Sequence, residues 1–284
     1  MPELPEVETI VRGLATTLPG ATIRSVEVLK PDLIEGESAA SFAGALAGRR
    51  IESITRRAKN IVMDTGGEFL LVNLGMTGRL FISPPGDPAP THPGVRIHLE
   101  DGRELMYHDV RRFGRLWRMQ PDEWAAWEAT LGVEPLSDGF TAKWLFDATR
   151  RSRVAVKVWL MDQARVVGVG NIYASEALFR AKVDPRTPAD ELTRPQAKRI
   201  RGAVRDVLAD SIEFRGTTLL DYRDAEGAPG DFVRRLRVYD REGEPCVVCG
   251  RPVQRIVQGG RSTFFCARCQ RRTPPGHAKS GALR

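Results

Sequence analysis

The 284-residue sequence lacks the features that mark membrane and secreted proteins. No stretch reaches the roughly 20 consecutive apolar residues that a membrane helix requires, which argues against a membrane protein. The first thirty residues carry Glu3, Glu6 and Glu8 where a secretory signal would have basic and then apolar residues, so we expect a cytoplasmic protein. There are only four cysteines, and in that compartment we do not expect them to form disulfides.

Acidic residues are fewer than basic ones, 36 against 43, which gives a formal net charge of +7. Most of the surplus lies at the end of the chain, where eight Lys or Arg stand against two Glu between Glu242 and Arg284. A basic excess favours a polyanionic partner such as nucleic acid, although many basic proteins have none. The length fits two domains with a small appendage.

Residues 1–132 have the pattern of a β-rich domain with flanking helices. Val7, Ile10 and Leu14 stand at helical spacing and predict a short amphipathic helix from Pro5 to about Leu18. From Ala21 to about Met119, short runs of Val, Ile and Leu alternate with Gly, Pro and Asp, which predicts antiparallel strands in a sandwich or barrel. The expected hairpin turns are TGG at 65–67 and EDGRE at 100–104.

The second region is predicted to be helical. The segment GVEPLSDGFT has linker composition, so we place a domain boundary between residues 132 and 133. We expect helices over 154–164 and 171–181, and a third that begins at Thr193 with a capping box to Gln196. The sequence thus predicts an α+β protein, with a helical domain over 133–240, including a Gly-rich loop at 216–230, and a cysteine module over 241–284.

The cysteines form two C-x2-C pairs separated by sixteen residues. Each pair can hold two thiolates on a tight turn, and one hairpin can bring the pairs together into a tetrahedral zinc site. Redox dithiols are the alternative and are disfavoured. Four protein ligands leave no open position, so one structural Zn²⁺ is expected. The ligands are Cys246, Cys249, Cys266 and Cys269. Between the pairs, Arg261 lies at a predicted hairpin tip, either as a phosphate ligand or as a solvated surface residue.

The start of the chain offers a nucleophile. Removal of Met1 would expose the secondary amine of Pro2, and an α-amino group with a pKa of about 8 is partly unprotonated at neutral pH. Glu3 and Glu6 could do acid/base work, or they could complement the positive end of the helix dipole. From their position alone we favour the dipole.

Several long motifs resemble those of the formamidopyrimidine-DNA glycosylases, in the same order. They are PELPEVET, RRAKN, LGMTGRL, YHDVRRFG, VVGVGNIYASEALF, GTTLLDY, VYDREGEPC and the zinc hairpin. The resemblance covers essentially the whole chain. It implies a bifunctional glycosylase and AP lyase of base excision repair that removes oxidised purines, such as 8-oxoguanine and formamidopyrimidines, from damaged double-stranded DNA. It implies no redox or nucleotide cofactor, a monomer, and a place in the bacterial cytoplasm at the nucleoid.

The resemblance also implies catalytic roles. Pro2 would attack C1′ of the damaged nucleoside and form a Schiff base, which β,δ-elimination then resolves. Glu3 would protonate the opening sugar and move protons during elimination, while Glu6 would hold the helix that carries Pro2. Lys59 matches the family lysine that contacts phosphates near the lesion.

Further matches concern DNA binding. An enzyme of this kind must extrude the nucleotide, and Met76, Arg111 and Phe113 match the residues that the family inserts into the gap. Taken alone, Met76 and Phe113 would more often be core residues, and Arg111 a surface charge. Asn171 and Arg261 match residues that grip the DNA backbone, and GVGNIY resembles the turn of the helix-two-turns-helix element.

The sequence departs from the family pattern at three positions. Asn73 stands where many members have a His that contacts a phosphate, and Asn can donate a hydrogen bond but carries no charge. Phe214 and Arg215 occupy positions of smaller or Gly-rich residues beside the loop that covers the flipped base. These departures leave the lesion preference open.

Two other functions remain as alternatives. The sister group that removes oxidised pyrimidines shares the proline chemistry, but it usually has Gly in place of Leu4. A non-catalytic damage-binding protein would share the basic zinc module, and intact Pro2 and Glu3 argue against it.

Overall fold

The structure is a computed structural model that describes residues 2–83, 92–218, 223–225 and 227–271. It divides into two compact units, one of Met1–Gly132 with Leu208–Arg235 and the other of Val133–Val207 with Leu236–Arg284. Part of the predicted Gly-rich loop lies outside the described residues, and so do the basic residues of the tail beyond 271. Among the described helices, none combines the length and apolarity that crossing a bilayer needs.

The first unit contains two antiparallel four-stranded sheets. Their strands are β1 (Ile23–Val28), β2 (Ser53–Arg57), β3 (Asn60–Asp64), β4 (Phe69–Asn73), β5 (Gly78–Ser83), β6 (Pro93–Leu99), β7 (Glu104–Asp109) and β8 (Arg115–Met119). One sheet has the order β1-β6-β7-β5 and the other the order β2-β3-β4-β8. Inward-facing residues of both sheets share one buried core, as in a sandwich.

Helices flank this sandwich. Helix α1 (Leu4–Ala15) buries Val7, Ile10 and Leu14 against the same core, because these residues lie on one face of the helix. Among the described residues before 133, the other α-helices are α2 (Ala39–Leu46) and α3 (Pro121–Glu128). Helix α1 therefore fixes the start of the chain to the sandwich.

The second unit contains helices and a zinc-type hairpin. The helices are α4 (Ala142–Thr149), α5 (Val156–Met161), α6 (Asn171–Ala181) and the first part of α7 (Arg194–Glu213). The hairpin pairs β9 (Gln254–Gln258) with β10 (Arg261–Phe265). Its Phe264 packs with Phe179 of α6 and with Val253 in a small buried cluster.

Most local expectations are confirmed. Helix α6 has the predicted bounds, and the capping box at α7 is present, because Thr193 Oγ1 accepts the Gln196 N–H and Gln196 Oε1 accepts the Thr193 N–H. Both predicted hairpin turns join paired strands. Helix α5 is shorter than expected, because the Asp162 carboxylate accepts the Ala164 N–H and starts a turn.

Two further features differ from the sequence expectations. Helix α2 lies within the stretch that we assigned to strands and turns, and its Ala-rich sequence is capped by the Ser38 hydroxyl, which accepts the Ser41 N–H. Leu208–Arg235, which the sequence grouped with the helical domain, packs with the first unit. The three domain ranges drawn from sequence remain a prediction.

Candidate functional site

The start of the chain is buried and tightly hydrogen-bonded. Pro2 is buried immediately before α1, and Glu3 is the N-cap residue. The Glu3 carboxylate accepts the Glu6 N–H, while Glu6 Oε2 accepts the Glu3 N–H at 2.8 Å. This reciprocal capping box satisfies two of the amides that a helix start leaves without partners. Both carboxylates therefore lie at the positive end of the helix dipole, beside Pro2.

Glu6 has a second, long-range partner. It is 1% exposed, and its Oε1 accepts the backbone N–H of Thr217 at 2.8 Å. Its two oxygens thus join the start of α1 to the chain segment that follows α7, within the same compact unit. A carboxylate committed in this way is suited to holding Pro2 in place rather than to exchanging protons.

Lys59 lies in the tight turn between β2 and β3. Its neighbour Ala58 has a φ of 57°, a left-handed conformation that this two-residue turn requires. The Arg56 guanidinium donates to the Ala58 carbonyl at 2.9 Å and to Glu8 Oε2 of α1 at 3.0 Å. The half-buried Lys59 therefore lies in a turn that Arg56 connects to α1, the helix that follows Pro2.

Asn73 ends β4 and uses its side chain within the protein. Its Nδ2 donates to Asn60 Oδ1 at 2.8 Å, and its Oδ1 accepts the Gly75 N–H at 2.9 Å. The amide shapes the start of the following loop, and its contact with a phosphate remains a prediction.

Met76, Arg111 and Phe113 extend from two adjacent loops. We call residues 74–77, between β4 and β5, the Met76 loop, and residues 110–114, between β7 and β8, the Phe113 loop. Met76 is 37% exposed and Phe113 is 53% exposed. The exposed Arg111 stacks its guanidinium 4.7 Å from the centre of the Phe113 ring. Exposed apolar side chains of this size are candidates for a binding surface.

In the second unit, Asn171 is connected to the zinc-type hairpin by Lys157, which sequence reasoning did not identify. The fully buried Lys157 Nζ donates to Asn171 Oδ1 at 2.5 Å, Thr263 Oγ1 at 2.8 Å and the Ser262 carbonyl at 3.2 Å. Arg261, exposed at the start of β10, is next to Ser262. One buried ammonium thus fixes the two elements that carry Asn171 and Arg261. In the sequence, a single Lys within the apolar run AVKVWLM could have indicated this buried charged residue.

Glu176 on α6 is a second buried charge that sequence reasoning missed. Its carboxylate accepts the backbone N–H groups of Arg237, Val238 and Tyr239 at 2.9–3.0 Å. Burial raises the pKa of Glu176, and the three amides oppose that shift. The segment that leads into the cysteine module is therefore anchored on α6.

The four predicted cysteine ligands come together. Their Sγ atoms all lie within 4.8 Å of one another, with 3.5 Å between Cys249 and Cys266 and 3.9 Å between Cys246 and Cys269. None is in a disulfide. A tetrahedral site with Zn–S bonds of about 2.3 Å has S–S separations of about 3.8 Å, so the arrangement fits Zn²⁺. Four thiolates make this a closed, structural site.

Three family models match the chain. They are the formamidopyrimidine-DNA glycosylase N-terminal domain at residues 1–116, the H2TH domain of the same glycosylases at 131–222, and a zinc finger found in FPG and IleRS at 243–272. The formamidopyrimidine-DNA glycosylase of Laribacter hongkongensis is 46% identical over 273 residues, which cover 95% of this chain and all of that protein.

Solved structures agree. The MutM (FPG) protein of Thermus thermophilus has a TM-score of 0.84 at 42% identity, covering 96% of this chain and all of that one. The Lactococcus lactis Fpg in complex with DNA containing an abasic site has a TM-score of 0.88 at 30% identity, covering 95% of this chain and all of that one. With models matched along most of its length and relatives that cover nearly all of it, the chain belongs to the formamidopyrimidine-DNA glycosylase family.

Proposed function

We propose that this glycosylase removes oxidised purines, such as 8-oxoguanine and formamidopyrimidines, from duplex DNA, with the Pro2 amine as the nucleophile. The nitrogen attacks C1′, and the damaged base leaves with the electrons of the glycosidic bond. The sugar ring opens as O4′ takes a proton, which gives an iminium between Pro2 and C1′. This cation then accepts electrons as the C3′–O and C5′–O bonds break by β- and δ-elimination, which is the AP lyase activity.

The hydrogen bonding at the start of α1 is the observation that carries this proposal. Both oxygens of Glu6 accept backbone amides, so Glu6 holds the helix. Glu3 is then the carboxylate beside Pro2 that protonates O4′ and moves protons in the eliminations. Burial of Pro2, Glu3 and Glu6 limits competition from water.

The DNA contacts form the second part of the proposal. Lys59 and Asn73 bind phosphates near the lesion, and Asn171 and Arg261 grip the backbone from the second unit. Met76, Arg111 and Phe113 fill the gap that the extruded nucleotide leaves, with the apolar side chains wedged between bases and the guanidinium bonded to the orphaned base. Relatives of known structure hold damaged DNA. The protein would act as a monomer at the bacterial nucleoid.

The test compares duplexes that carry different lesions, and it compares proteins that begin at Pro2 with proteins that carry extra residues before it. Excision is measured on duplexes that differ only in the lesion, with 8-oxoguanine, a formamidopyrimidine or an oxidised pyrimidine at one position. The protein whose chain begins at Pro2 is expected to release the oxidised purines faster than the oxidised pyrimidine. A protein with two residues added before Pro2 is expected to bind DNA but to release no base. Faster release of the pyrimidine would favour the sister group. Binding without any turnover would favour a damage sensor.

A further inference from the structure

A buried carboxylate joins the Met76 loop and the Phe113 loop. Asp109, the last residue of β7, is 3% exposed. Its Oδ1 accepts the Thr77 hydroxyl at 2.5 Å, and its Oδ2 accepts the Gly114 N–H at 2.8 Å. The N–H of Arg111 points between Asp109 Oδ1 at 3.2 Å and Thr77 Oγ1 at 3.0 Å. The two loops therefore share one acceptor group.

Tyr107 supports Asp109 from the core side. Its hydroxyl lies 3.2 Å from Asp109 Oδ2 and 3.3 Å from the carbonyl of Asn73, the last residue of β4 before the Met76 loop. Burial and the Asp109 charge raise the pKa of Tyr107 above its ordinary value, so the phenol keeps its proton and donates it. The hydroxyl thereby contacts both the carboxylate and the strand that leads into the loop.

The backbones of the two loops are in direct contact. A Cβ atom on Gly75 would lie 2.4 Å from the Gly114 nitrogen, and one on Gly114 would lie 1.7 Å from the Tyr107 hydroxyl. Gly75 also has a φ of 55°, which favours glycine. A side chain at Gly75 would therefore push the two loops apart, and one at Gly114 would displace Tyr107.

We propose that Asp109 is a positioning residue that locks the two loops together, so that Met76, Arg111 and Phe113 meet DNA as one preformed wedge. This inference rests on the wedge role given under the proposed function. Loops that are already ordered lose little conformational entropy when the wedge enters the base stack. A carboxylate suits this position because it has only acceptor atoms, whereas the amide of Asn would set an NH₂ group against at least one of the donors.

The first experiment uses Asp109→Asn. We expect single-turnover excision of 8-oxoguanine from intact duplex to fall by about tenfold or more, because an unpartnered buried donor destabilises the locked loops. Strand cleavage at a preformed abasic site in single-stranded DNA, where no base must be extruded, should change by less than about threefold. The matched control is Asp64→Asn, because Asp64 accepts the Gly66 N–H in another hairpin turn of the same unit. Equal losses on both substrates would overturn the proposal.

Two further comparisons guard against a variant that merely unfolds. Thr77→Ser keeps the hydroxyl bonded to Asp109 and should keep duplex excision, while Thr77→Val should reduce it. Phe113→Ala added to Asp109→Asn should cost less than about twofold more, because two residues that act through one wedge are not additive. Fully additive losses, or equal activity of the two Thr77 variants, would contradict the proposal. If the Pro2 mechanism itself were wrong, the wild-type protein would form no covalent adduct, which is a separate outcome.

Discussion

Buried charged groups position the proposed functional side chains in both compact units: they are carboxylates in the first, and in the second an ammonium together with the carboxylate of Glu176. In the first unit, the carboxylate of Glu6 accepts the Glu3 N–H at the start of α1, and that of Asp109 accepts the Thr77 hydroxyl of the Met76 loop and the Gly114 N–H of the Phe113 loop. In the second unit, the ammonium of Lys157 fixes Asn171 and the hairpin of Arg261, and a four-thiolate metal site closes that hairpin. Helix starts and tight loops leave unpaired donors, which need acceptors, whereas residues that bind phosphate benefit from a nearby cation.

This difference implies that chemistry and DNA affinity can be separated by mutation. Changes at the start of α1 should remove turnover and spare binding. Changes around Lys157 or the cysteines should weaken binding and spare turnover at saturating DNA.

The largest effect is expected from Glu3→Gln. The variant keeps the amine and the basic surface, so it should bind lesion DNA with wild-type affinity. Base release should fall by at least about 100-fold, because the carboxyl that we propose as proton donor and acceptor is gone. Single-turnover excision and equilibrium binding are the two measurements, and Glu52→Gln, at an exposed position of the same unit, is the control. A parallel loss of affinity would contradict the separation.

Cys266→Ser should act on the second unit alone. Loss of one thiolate weakens zinc binding and loosens the hairpin, so the affinity for duplex DNA should fall by more than about tenfold. Metal analysis should show one zinc per wild-type chain and less in the variant. Adding Arg261→Ala to Cys266→Ser should cost little more, because the hairpin no longer presents that arginine. Wild-type protein purified without chelator and lacking zinc would refute the assignment.

Lys157→Met is expected to reduce DNA affinity by about five- to tenfold. Met keeps the volume but leaves Asn171 Oδ1 and Thr263 Oγ1 without the Lys157 donor, so the two elements that we propose to bind the DNA backbone lose their fixed positions. The control is Lys143→Met, which removes the same charge from an exposed i,i+4 pair with Asp147 on α4. Similar affinities for the two variants would show that only net charge matters.

A smaller effect is expected from Phe113→Ala. This variant tests whether extrusion of the nucleotide and the chemical steps depend on different residues of the first unit. Excision from intact duplex should slow by about fivefold, because one wedge residue no longer compensates for the unstacked base. Strand cleavage at a preformed abasic site should be nearly unchanged. If both rates fell together, Phe113 would serve the chemistry and not extrusion.

Sequence patterns predicted the elements whose signals are local. The bounds of α6, the capping box at Thr193 and the two hairpin turns follow from spacing and turn residues, and the C-x2-C pairs predicted the metal site. Asp109 and Lys157 escaped notice because each connects its own element to a partner that is distant in sequence. Thr77 precedes Asp109 by 32 residues, and Thr263 follows Lys157 by 106. Hydrophobic periodicity does not predict contacts between residues that are distant in sequence. A single charged residue within an apolar run indicates only that a buried partner is needed.

The central claim is that the secondary amine of Pro2 performs the chemistry. The most direct measurement is borohydride trapping on a duplex with 8-oxoguanine opposite cytosine, followed by peptide mapping of the crosslink. The account predicts one adduct, on the Pro2 nitrogen, that disappears when any residue precedes Pro2 while folding and zinc content stay unchanged. A crosslink mapped to Lys59 or to another lysine, or full activity in the extended protein, would contradict it.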